Sequence, residues 1–214
     1  MSRNSATHFI IEKTMKLKSI ALQSPDLNEP ATLMQAFSKR RTNRDFDIRP
    51  VSEKHLSELL WAAYGANRPD GHKTVPSAMG IYPLDIYAVT AQGVYRYEPS
   101  TNSLEPVSEG DYRADTGIQD FAGQAPLDLV IVYNEDAFDV PDKPTAKMLQ
   151  KNQVRLTALD AGAVTQNIYL YCAVQGLNVV ERMSAADDAI KKPLGLKRHQ
   201  HFVVAMSIGY PPQH

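Results

Sequence analysis

Apolar residues recur at helical spacing in Leu33, Met34 and Phe37 and again in Leu56, Leu59, Leu60 and Ala63, which predicts two amphipathic helices. The second starts after Ser52, a good acceptor for the free N–H groups of a first turn. Glu53 suits the positive helix end, and Gly65 marks the stop. The period then changes. Leu84–Val89 and Val94–Tyr97 read as strands joined through Ala91-Gln92-Gly93 as a hairpin. Residues 98–115 read as a polar excursion and Ile118–Gly123 as a short helix. Leu127–Tyr133 is a near-continuous apolar run, as expected of a central strand covered on both faces. A long helix is expected near 146–176, a shorter amphipathic one near 185–192, and a last strand over Phe202–Ile208, ended by Gly209-Tyr210-Pro211-Pro212. Helices outnumber strands, so the expected class is α+β with a mixed central sheet flanked by helices.

The chain has 214 residues, which suits one large domain over residues 20–214 behind an N-terminal arm, residues 1–19. Lys and Arg number 23 against 24 Asp and Glu, so no global field holds nucleic acid or an anionic membrane, and any basic site must be local. Cys172 is the one cysteine. An intrachain disulfide is therefore impossible, and its apolar neighbours Leu170, Tyr171 and Val174 make it a core residue rather than a nucleophile. Between Leu156 and Val180 only Asp160 is charged, yet Thr157, Thr165, Gln166 and Asn167 make the stretch too polar for a membrane span. It reads as a helix buried on most faces, in which Asp160 needs a hydrogen-bonding partner. The start of the chain lacks the long apolar run of a secretory signal, so a cytoplasmic protein is expected.

Three segments carry candidate chemistry. Arg40-Arg41-Thr42-Asn43-Arg44 puts three guanidiniums and a hydroxyl within five residues. That set can grip a phosphate, or simply favour the negative end of a helix. Pro76-Ser77-Ala78-Met79-Gly80 is either an ordinary surface loop or one whose small residues let backbone N–H groups approach a planar ligand. Asp160–Asn167, with Gly162 between alanines, permits close helix–helix approach, either inside the chain or between subunits. His199, His201 and His214 lack the third firm ligand a metal site needs, so no metal is expected. A glycine-rich dinucleotide fingerprint, a Walker lysine and a nucleophile elbow are all missing.

Taken in order, these segments resemble the nitroreductase-like flavoprotein family, closest to its small SagB-type dehydrogenase branch. The likeness runs from Ile20–Asp26 through Arg40–Phe46, Leu59–Gly65 and Thr74–Ala78. It continues in Ala125-Pro126-Leu127, Asp160-Ala161-Gly162, Gln166-Asn167, Gly176-Leu177 and Ile208–Pro211. The resemblance implies an intertwined homodimer around a long central helix, with FMN at the subunit interface. Carried over by position, Arg40, Arg41, Thr42 and Arg44 are the phosphate and ribityl ligands. Pro76, Ser77, Ala78 and Met79 meet the flavin ring from the partner subunit, and Arg182, Met183 and Ser184 lie near the reactive N5 edge. The implied activity is hydride transfer from NADH or NADPH through flavin N5 to a nitroaromatic, quinone or similar small acceptor. The flavin itself carries that chemistry, so no catalytic side chain is assigned. Two alternatives stay open: a flavin-binding protein without NAD(P)H turnover, and a dehydrogenase of a peptide-derived ring. Three departures stand out. Gly80 falls where many relatives place Asn, Val180–Met183 replaces a glycine-rich stretch, and the C-terminal Lys/Arg pair is missing, which places more of the phosphate binding on Arg40–Arg44.

Overall fold

A computed structural model of the chain describes residues 17–213 apart from 29, 185 and 186. Residues 1–16 of the expected arm lie outside the described residues, as does His214. Leu17 is tied down: its N–H donates to Glu109 Oε1 (3.0 Å).

Among the described residues seven strands form one sheet: β1 (Ile20–Ala21), β2 (Leu84–Thr90), β3 (Gly93–Glu98), β4 (Ser103–Glu109), β5 (Leu127–Asn134), β6 (Asn178–Arg182) and β7 (Gln200–Gly209), in the order β1-β4-β3-β2-β5-β7-β6. The α+β class holds. The sheet, however, is antiparallel at every described pairing, not mixed. The reason is topological. A long helix carries the chain from β5 to β6, so these two strands run the same way, as a crossover requires. The last strand β7 then inserts between them and turns one prospective parallel pair into two antiparallel ones.

Four α-helices among the described residues accompany the sheet: α1 (Leu33–Lys39), α2 (Glu53–Tyr64), α3 (Lys143–Gln175) and α4 (Asp187–Lys191). Thr32 and Gln35 close a reciprocal capping box on α1, and the Ser52 hydroxyl accepts from His55 N–H at the start of α2. At 33 residues, α3 is about 50 Å long. It opens on the Asp142 side chain, which accepts from Thr145 N–H, and ends at Gly176 in the left-handed conformation that spares a Cβ clash. Leu59, Leu60 and Ala63 of α2 pack with Val164 and Ile168 of α3 against Ile86, Leu129, Ile131 and Met206 on one sheet face. The opposite face buries Val89, Val130, Val132 and Ala205 with Ile190 and Leu194. β5 is therefore covered on both sides, as its apolar run requires.

Three expectations change. The polar excursion contains β4, which pairs with both β3 and β1. Only Leu104 of its apolar residues is fully buried, so a strand near the sheet edge carries too few apolar positions to show a period. The short helix at 118–123 shrinks to a single 3₁₀ turn at Asp120–Ala122. Finally, the burial expected of the long helix holds for its second half, where Thr157, Ala161, Val164, Ile168 and Cys172 are buried, but not for its first, which exposes Met148 (49%) and Val154 (71%). No described helix is long and apolar enough to cross a membrane.

Candidate functional site

The arginine-rich segment leaves the end of α1 and runs along the outer edge of β6. Asn43 N–H donates to Val179 O (3.0 Å), its side chain donates to Asn178 Oδ1 (2.9 Å), and Asn178 Nδ2 returns a bond to Asp45 O (2.7 Å). Asn43 thus anchors the backbone of the segment to β6. Thr42 Oγ1 lies 3.1 Å from Tyr169 OH, and the Arg40 guanidinium sits 5.3 Å from the same ring's centroid. Tyr169 OH also accepts Glu181 N–H (3.0 Å), so one tyrosine of α3 joins the segment to the end of β6. Arg40, Arg41 and Arg44 are exposed and form no ion pair with any described residue. Three permanent charges on a pinned backbone suit a phosphate dianion. On this count the residues fit FMN.

The Pro76–Gly80 loop lies elsewhere on α3. The Ser77 hydroxyl accepts Tyr82 N–H (3.0 Å) and hydrogen-bonds the Asp160 carboxylate. Burial pushes Asp160 above the usual carboxylate range and the Ser77 bond opposes this, so Asp160 holds the loop. Met79 and Gly80 take left-handed φ values of 55° and 68°, and Met79 projects into solvent (69% exposed). Asp160 and Tyr169 are nine residues apart on α3, about 13.5 Å of rise and roughly half a turn in azimuth. The two candidate halves therefore sit on opposite sides of the helix within one chain. The cavity of about 360 Å³ between α1, α2 and α3 is lined by Leu33, Trp61 and Tyr171 and touches neither half.

The third segment divides. Met183 is exposed (80%) and Ser184 is half-buried; Ser184 O accepts Ile118 N–H (3.1 Å) and its hydroxyl accepts from Gln119. The side chain of Arg182 is not available to a ligand. It turns into the protein (4% exposed) and donates to Asp128 Oδ1 (2.6 Å), Ser207 Oγ (2.8 Å), Thr116 Oγ1 (3.0 Å) and Thr116 O (2.7 Å). The physical reason is strand alternation: Arg182 points to the same sheet face as Asp128 and Ser207, where an unpaired carboxylate would be costly. The visible signal of this pair in the sequence is Asp128 inside an otherwise apolar strand. Tyr169 gave no comparable signal, since a tyrosine on a buried helix is ordinary. His199 and His201 pair separately with Asp136 (3.4 Å) and Glu135 (3.0 Å). Cys172 is buried, and burial pushes its thiol up, as befits an inert core residue.

The chain is thus an α+β protein in which an antiparallel sheet carries a long helix, with a cationic edge and a small-residue loop set around that helix. The nitroreductase family pattern matches residues 37–210. A Methanocaldococcus jannaschii protein described as a nitroreductase is 30% identical over 191 residues, 85% of this chain and 92% of that one. A Ralstonia eutropha crystal structure, also described as a nitroreductase, superimposes with a TM-score of 0.81 at 37% identity over 92% of this chain and 90% of the other. The fold is shared more distantly with a chain of the Escherichia coli microcin synthetase McbBCD complex, at TM-score 0.67 and 18% identity, covering 100% of this chain and 85% of that one. The chain belongs to the nitroreductase family and is an FMN-dependent oxidoreductase.

Proposed function

We propose that two copies of this chain form a cytoplasmic homodimer that binds FMN at each subunit interface and reduces a small acceptor, a nitroaromatic or a quinone, at the expense of NADH or NADPH. The observation that carries the reading is the unpaired set Arg40, Arg41 and Arg44 pinned along β6, on the opposite side of α3 from the loop meant to meet the ring. One chain cannot close both halves on one ligand; a second copy can supply the missing half. In this arrangement Arg40, Arg41, Thr42 and Arg44 hold the phosphate and ribityl chain. Pro76, Ser77, Ala78 and Met79 of the other subunit lie against the ring. Met183 and Ser184 contribute backbone at its edge, while Arg182 only fixes where that backbone stands. When bound, FMN supplies the two-electron chemistry. The chain binds and orients it, excludes water and aims donors at the reduced ring.

Replacing Arg40 and Arg44 together with Ala should give folded protein that purifies without the visible flavin spectrum; full flavin occupancy in the double variant rules the assignment out. Anaerobic NADH or NADPH should bleach the wild-type spectrum within seconds. Flavin that stays oxidised under both donors supports instead the dehydrogenase of a peptide-derived ring or a non-turnover flavin binder.

Dimerisation has its own support. Leu33 (63%), Met34 (72%) and Phe37 (49%) are exposed on one short helix, α1, and Leu159 (65%) is exposed on α3; apolar side chains grouped on a surface mark interaction sites. Gly162 has nothing within 4 Å of where a Cβ would stand, so close packing inside the chain does not require it, and an approaching second helix would. Leu159→Glu should shift the protein from dimer to monomer in size-exclusion chromatography and lower flavin content with it. A dimer of unchanged affinity would remove α3 from the interface.

A further inference from the structure

Lys73 belongs to none of the segments assigned above, yet its ammonium occupies a built position. It lies 3.6 Å from the ring centroid of Tyr64, at the end of α2, and 5.0 Å from that of Tyr82, just beyond the Pro76–Gly80 loop. The two rings meet edge-to-face with centroids 6.1 Å apart. Lys73 N–H also donates to Tyr82 OH (3.2 Å), so the same residue holds Tyr82 by its hydroxyl and by its ring face. Tyr64 is fixed in turn, because its hydroxyl accepts Leu84 N–H (3.2 Å) at the start of β2.

The clamp acts on a strained turn. Met79 at φ 55° and Tyr82 at φ 46° are side-chain-bearing residues in the left-handed region, separated by two residues from each other, with Gly80 at φ 68° between them. Neither Met nor Tyr enters that region without a steric penalty, so contacts from outside the turn must hold it there. Ser77 Oγ supplies one, accepting Tyr82 N–H. Tyr82 also packs against the main core cluster, and its ring meets His72 (centroids 6.1 Å, edge-to-face), Tyr64 and Lys73. A cation is attracted to the face of each aromatic ring, and more strongly when part of its water shell is gone. The Lys73 ammonium is half-buried. Burial pushes it down to about 8, against the raising effect of the Asp85 and Glu98 carboxylates, which leaves it mostly charged at neutral pH.

We propose that Lys73 is a positioning residue whose ammonium, held on the ring faces of Tyr64 and Tyr82, keeps the Ser77–Tyr82 turn in the left-handed shape that presents Ser77, Ala78 and Met79 to the flavin. This rests on the assignment of that loop to the flavin ring. Lys73 touches neither flavin nor acceptor; it acts through Tyr82.

Lys73→Met keeps an unbranched chain, one atom shorter, and removes the charge, and Lys73→Arg restores a cation that stacks on aromatic faces. Two readouts are taken on each protein: amide hydrogen exchange over residues 77–82, and the FMN dissociation constant from titration of the flavin-depleted protein. In Lys73→Met the amides of Met79 to Tyr82 should exchange faster and FMN affinity should fall about tenfold, with α3 protection unchanged. Lys73→Arg should return both to within about threefold of wild type on the same scale. Exchange over 77–82 that stays at the wild-type rate in Lys73→Met overturns the clamp. Failure of Lys73→Arg to rescue a loosened turn also overturns it, since the charge on the rings would then not be what holds the turn. A turn that loosens in Lys73→Met and recovers in Lys73→Arg, with FMN affinity constant throughout, upholds the clamp and removes this loop from the flavin site.

Discussion

Arg182→Met should destabilise the protein by about 3–5 kcal/mol, because it leaves a buried carboxylate without its counter-charge. Asp128 is fully inaccessible and accepts from both Arg182 and Ser207, while its second oxygen has no partner among the described residues. Removing the guanidinium also frees Thr116 O, which anchors the 113–122 segment. For a chain of this length the loss corresponds to a fall in Tm of roughly 6–20 °C, measured at fixed flavin loading because bound ligand adds its own stabilisation. The deficit should depend on pH. Burial already raises the Asp128 carboxyl, against the opposing guanidinium, and without Arg182 the rise grows. A carboxyl that binds its proton more tightly folded than unfolded favours folding most fully at low pH. That contribution is lost as pH rises through the folded-state value. The variant should therefore recover part of its deficit between pH 7 and about pH 4, the unfolded carboxylate value, in urea titrations across that window. A deficit that grows on acidification would contradict the account. Replacing both partners, Asp128→Leu with Arg182→Met, should cost less than Arg182→Met alone, since no uncompensated charge remains.

The second large effect falls on Gly117. Its φ of −168° is ordinary extended backbone, so conformation does not demand glycine here; space does. A Cβ would stand 1.9 Å from Arg182 Nη1 and 3.0 Å from Cζ. The guanidinium is held by four hydrogen bonds and cannot retreat without breaking them. Gly117→Ala should cost about 3 kcal/mol or more, the upper end of overpacking, because relief of the clash disrupts the buried pair. In the Asp128→Leu, Arg182→Met background the same substitution should cost well under half as much, since the longer, tethered head group is gone. Equal cost in both backgrounds would show that the clash is with something other than Arg182, and a double-mutant cycle measures the difference directly.

How much of this was legible beforehand depends on where the information is stored. The long helix was read within three residues of its ends, because a run with one charged residue in twenty-five and a glycine stop is a local signal. β5 and β7 were legible for the same reason. β4 was not, since Ser103–Glu109 near a sheet edge places most of its side chains toward partial solvent. Of the candidate site, the Arg40–Arg44 cluster and the Pro76–Met79 loop were found as motifs. The Arg182 side chain turns into the protein instead, because a position in a motif does not say which sheet face a residue occupies.

The sequence by itself determined the longer helices and central strands, the family and the Arg40–Arg44 cluster of cations, because periodicity, caps and charge spacing are properties of neighbouring residues. Tertiary structure alone decided the rest. The insertion of β7 between β5 and β6 makes the sheet antiparallel, and it sets Ser207 beside Asp128 and Arg182 across three strands. The stacking of Lys73 on Tyr64 and Tyr82 likewise joins a helix end, a loop and a strained turn. Such contacts depend on where distant segments meet. That is fixed by how the whole apolar surface closes on itself, and no local pattern of residues carries it.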